Sequence, residues 1–138
     1  MTDLFVAVGI IVLLALVVVA RHFYSKNKIS GLDKKFFQAR WSEIEKLMEV
    51  KKEMNYKLAV IEADKLLDEA LKQMFFPGGT TFDRLKFATY KFQKLKETWW
   101  AHKVRNEVVH NVSYALRHNE AQKVLELFNK ALRTLGAI

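Results

Sequence analysis

Leu4 to Ala20 reads LFVAVGIIVLLALVVVA, seventeen consecutive residues without a charge, and its reading decides how the chain is organised. As a helix at ~1.5 Å per residue it is about 25 Å long, near the lower limit for crossing a bilayer. Arg21, Lys26, Lys28, Lys34 and Lys35 follow the run, whereas Asp3 is the one charged side chain ahead of it. Positive charge gathers on the cytoplasmic side of single spans. The pattern therefore predicts an N-terminal transmembrane helix at the cell membrane, with the amino terminus outside and the remainder in the cytoplasm. A cleaved signal peptide competes with this reading, but it needs basic residues before the apolar core, and here they come after it.

Outward from the run, residues 1–28 form an anchor and connector, and residues 29–138 are long enough for one modest domain with its own core. One proline and five glycines in 138 residues favour helices joined by short turns over a many-stranded sheet. The expected fold class is all-α, a transmembrane helix followed by a four- or five-helix bundle. Cysteine is absent, so neither a disulfide framework nor a thiolate metal site is available.

Apolar spacing places the soluble helices. Ser30 with Asp33 three places on resembles a helix start, and Phe37, Trp41, Ile44 and Met48 make one stripe on the helix that runs from there to about Glu53. Asn55 is a candidate cap for the next helix, which ends at Phe75-Phe76-Pro77-Gly78-Gly79. Thr80 or Thr81 with Asp83 restarts a short helix carrying Phe82, Leu85 and Ala88. A fourth helix covers roughly Leu95 to His110 or Val112. The last starts at His118 or Asn119, and Gly136 stops it.

The net charge is +8, and setting aside residues 1–20 leaves twenty-three cationic against fourteen acidic side chains, a net +9. Such a balance fits a basic surface near anionic headgroups, or a phosphate-bearing partner such as RNA. The fourth helix draws closer attention. Ala101, Val104, Val108 and Val112 give it a core face, while His102, Asn106 and His110 recur every four residues along another stripe with Arg105 beside it. Trp99 and Val109 share that surface, which predicts cover by another segment or by a second copy, and so a homodimer through residues 95–110.

The run Arg105-Asn106-Glu107-Val108-Val109-His110 resembles the Arg, polar residue, spacer, His signature of HEPN domains, and the likeness spans roughly Asn55 to Leu135. That resemblance implies a metal-independent endoribonuclease whose composite site joins the Arg and His of two protomers, acting through the RNA 2′-hydroxyl. It would make Arg105, Asn106 and His110 catalytic: His110 as acid or base, Arg105 holding the phosphate, Asn106 orienting them. Arg105 and His102 would contact RNA. The same residues also admit a non-enzymatic membrane-associated interaction bundle, in which Arg105 pairs with a carboxylate such as Glu107 or one on a neighbouring helix and His110 caps its own helix. No cofactor motif is present. His102, His110 and His118 stand eight apart without Cys, so no metal site is expected.

Overall fold

A computed structural model of the chain describes residues 1–26 and 31–138. The elements are α1 (Thr2–Lys26), α2 (Lys34–Glu49), α3 (Glu53–Gln73), α4 (Thr81–Lys91), a 3-10 turn (Gln93–Glu97), α5 (Thr98–His110) and α6 (His118–Thr134). Two compact units result, Met1–Ser30 and Gly31–Ile138. Among the described residues there is no strand.

α1 is helical, as its composition requires, but its expected reach is corrected. Among the described residues no helix is long and apolar enough to cross a membrane. The uncharged run stops after seventeen residues, and about 25 Å of helix falls short of the ~30 Å hydrocarbon core. The described residues are therefore all-α, without a helix long and apolar enough to span. The second unit holds five α-helices.

α3 is the axis of that unit, packing against α2, α4, α5 and α6. Its sequence explains this: Ala59, Val60, Ala63, Leu66, Leu67, Ala70 and Leu71 are buried, and the alanines let neighbouring helices approach closely. α2 lays Phe37, Trp41 and Ile44 on it, as their spacing predicts. α6 brings Val124, Phe128, Ala131 and Leu132. Each fully buried Leu or Phe in this cluster contributes roughly 1.5–3 kcal/mol to folding.

The helix ends follow local chemistry. Asp33 caps α2 by accepting from the Phe36 N–H at 3.2 Å, and Thr80 with Asp83 makes a reciprocal capping box on α4. Asn55, expected as a cap, instead lies inside the first turn of α3, whose cap residue is Lys52. α2 accordingly stops at Glu49, earlier than its periodicity predicts, with Lys51 in the left-handed region at φ 56°. Gly78 is required by space: its φ is 138°, and an added Cβ would lie 2.4 Å from the Asp83 Cβ.

Candidate functional site

α5 carries every side chain singled out from the sequence, so its rotation about its own axis decides what each can reach. Thr98, Ala101, His102 and Val104 are buried on it. At about 100° per residue these span an arc of roughly 160°, and Arg105 falls inside that arc rather than opposite it. His110 lies about 140° around the helix from Arg105. A four-residue repeat also drifts against a 3.6-residue turn. The stripe His102, Asn106, His110 therefore winds from the core through a half-buried position to solvent.

Asp64 of α3, fully buried, is the partner that the α5 side chains meet. Nδ1 of His102 donates to its Oδ1 at 2.7 Å. Nε of Arg105 stands 3.1 Å from its Oδ2. The latter is a close ion pair without an aligned hydrogen bond, because neither Arg105 Nε nor Asp64 Oδ2 has a hydrogen-bond partner. Arg105 also donates from a terminal nitrogen to Asn106 Oδ1 at 2.9 Å. Arg105, Asn106, His102 and Asp64 are thus gathered, and His110 is left exposed at the last residue of the helix. Such a cluster can clamp α5 to α3 and hold one guanidinium in a fixed orientation. It places one solvent-facing imidazole per chain at the end of α5.

Val112 lies beyond the helix and is fully exposed, so the expected core face ends at Val108, which is partly buried. Trp99 is covered by Phe82 of the same chain, edge to face with ring centroids 5.0 Å apart. Trp100 is 38% exposed and lies under the Lys123 ammonium.

A second buried ion pair fixes α4 to α3. Arg84 donates through Nε and a terminal nitrogen to the two oxygens of Asp68, at 2.7 and 3.0 Å, and Lys72 adds a third contact at 2.9 Å. Burial by itself would raise the Asp68 carboxyl; the hydrogen bonds from Arg84 and Lys72 outweigh it and hold the group below the usual carboxylate range. In the connector before α6, burial and then the hydrogen bond to Glu120 push the Tyr114 phenol up to about 12.

A cleft of about 800 Å³ opens between α2 and α6 over Trp41, Met48 and Leu125, with Glu45, Glu49, Glu126, Lys51, His118 and Arg133 around it. None of the α5 residues lines it. Among the described residues no three His, Asp or Glu stand together as a metal-binding group. No known protein family, curated protein or solved structure matches the chain.

Sequence reasoning missed Asp64 and Asp68. A signal was there: each is an acidic residue on the apolar face of α3, flanked by Ala63 and Leu66 or by Leu67 and Ala70, where an unpaired carboxylate would cost several kcal/mol. It missed the distribution of charge as well. Residues 84–96, RLKFATYKFQKLK, hold five cations and no carboxylate.

Proposed function

We propose that this chain is a lipid-associated, HEPN-like helical domain that binds RNA, and that a single copy binds without cutting. The observation that carries the proposal is where its charge sits. Residues 31–138 hold twenty Lys and Arg against fourteen Asp and Glu, a net +6. Between Arg84 and Arg105 there are seven cations and one carboxylate, Glu97, which is the same +6. Everything else in the domain balances, thirteen against thirteen. Arg84 and Arg105 are taken up by Asp68 and Asp64, so the lysines between them are the part a polyphosphate would meet, and counterion release would drive its binding.

Binding is favoured over cleavage by the engagement of Arg105. Its charge is offset by Asp64 at 3.1 Å, so little of it remains for a developing phosphorane. Cleavage through the 2′-hydroxyl needs an acid and a base, and each chain exposes one imidazole on α5. The endonuclease chemistry implied by the resemblance therefore needs two copies meeting at residues 95–110.

Lipid association is supported by the stretch Phe5 to Ala20 of α1, whose exposed side chains are apolar on every side, among them Phe5, Ile11, Leu13 and Val18. A helix without a polar stripe must be covered all round. The basic residues that follow it suit anionic headgroups.

The test is to incubate the full chain, kept in mild detergent, with RNA in EDTA beside Arg105→Ala and His110→Ala. RNA retained and intact is the expected result. Cutting by the parent but by neither variant would overturn the binding-only reading, and failure to retain RNA at low salt would overturn the RNA reading. For the lipid contact, the full chain should float with anionic vesicles while residues 31–138 stay behind. Equal behaviour of the two would contradict it.

A further inference from the structure

α4 turns one face inward and leaves the other unpartnered. Leu85 and Ala88 are buried in the core. Arg84 is buried in its pair with Asp68, so the helix cannot roll on α3 without breaking two hydrogen bonds. On the outer face, at about 100° per residue, Lys86, Tyr90, Phe87 and Lys91 fall side by side over roughly 140°. Tyr90 is 72% and Phe87 46% exposed. The 3-10 turn extends the same chain with exposed Lys94 and Lys96. None of these four lysines is paired with a carboxylate among the described residues.

We infer that α4 and the following 3-10 turn form a stacking platform for single-stranded RNA, with Tyr90 and Phe87 under the bases and Lys86, Lys91, Lys94 and Lys96 along the phosphates. The inference rests on RNA being the partner and adds where and in what form it is held. Positions three apart on a helix put side chains about 5–6 Å apart at Cβ. The two rings are thus exposed neighbours, and every base has a face to offer in return. Four unopposed ammonium groups beside them supply the backbone contact.

A bilayer surface fits this face less well. Interfacial helices insert a broad face of aliphatic residues, whereas here the outer face holds two aromatic rings between lysines and the aliphatic Leu85 and Ala88 of α4 are turned into the core. Duplex RNA also fits poorly, because its bases are already stacked and its recognition runs through the minor groove and the sugar-phosphate shape.

The experiment is fluorescence anisotropy of the full chain in mild detergent with a labelled oligouridine and with a labelled duplex of equal length. The single strand should bind more tightly. Tyr90→Ala should weaken it about fivefold or more, and Tyr90→Phe should not, since stacking needs the ring and not the hydroxyl. The double variant Lys91→Gln with Lys94→Gln should make the salt dependence shallower by about 0.7 per lysine removed. All three positions are exposed, so these variants keep the core intact. If single-stranded RNA binds the parent and Tyr90→Ala equally while Arg105→Ala loses it, the platform is wrong and RNA binding stands. If no RNA binds but anionic vesicles pull down residues 31–138 through the same lysines, both the platform and the RNA reading fall.

Discussion

Replacing Asp64 by alanine strands two side chains at once, the His102 ring and the Arg105 guanidinium, beside a helix whose other neighbours are Ala63, Leu66 and Leu67. Removing one member of a buried charged pair costs about 3 kcal/mol or more. We expect Asp64→Ala to lose about that much in urea unfolding. Arg105→Met keeps the length of the stem and should cost less, because Arg105 is partly exposed and its Nε already lacks a good hydrogen bond. If Asp64→Ala unfolds at the same urea concentration as the parent, the clamp between α3 and α5 contributes nothing. The spacing of Arg105 and His110 was legible in the sequence. The partner of Arg105 was not, because Asp64 lies forty-one residues earlier and the repeat on α5 carries no sign of which neighbour it faces.

α3 and α6 end in the same way with different residues, which makes a comparison inside one molecule. After α3 the N–H groups of Phe75 and Phe76 bond Lys72 and Leu71, and after α6 those of Gly136 and Ala137 bond Arg133 and Leu132. Both turning residues are left-handed, Phe75 at φ 60° and Gly136 at φ 74°. A side chain in that region costs about 1–2 kcal/mol, and Phe75 recovers little by packing since it is 91% exposed. Phe75→Gly should therefore stabilise by about 0.5–1 kcal/mol, and Gly136→Ala should destabilise by about 1 kcal/mol, both read from thermal midpoints. A drop in the midpoint for Phe75→Gly would show that the ring is held by something else. The stop at Gly136 is readable from the residue alone; the stop at Phe75 is announced by Pro77 and the glycines but not its geometry. Between α3 and α4, the depressed Asp68 carboxyl contributes stability that is complete above the ordinary carboxylate range and is lost as pH falls from there through the lower value of the folded state. Asp68→Asn should thus narrow the gap in stability between neutral and acidic pH, and an unchanged gap would place the acid sensitivity elsewhere.

At the scale of the molecule, composition alone announces a helical chain with an apolar first helix and a basic remainder, because few breakers and strong periodicity leave little else. How far α1 reaches was misjudged: an uncharged run at the bottom of the permitted length range satisfies a count of residues before it satisfies a thickness. The overall charge was legible, and its confinement to residues 84–105 is legible too, once charges are counted by segment rather than by chain. Which of those cations remain free needed the fold, since Arg84 and Arg105 are taken up by Asp68 and Asp64. The central claim is that the free ones hold RNA. It is tested most directly by the affinity of the full chain for single-stranded RNA across a range of salt concentrations. Four exposed lysines at about 0.7 each predict a log–log slope of about −3. A slope near zero, or no binding at the lowest salt, would contradict the account.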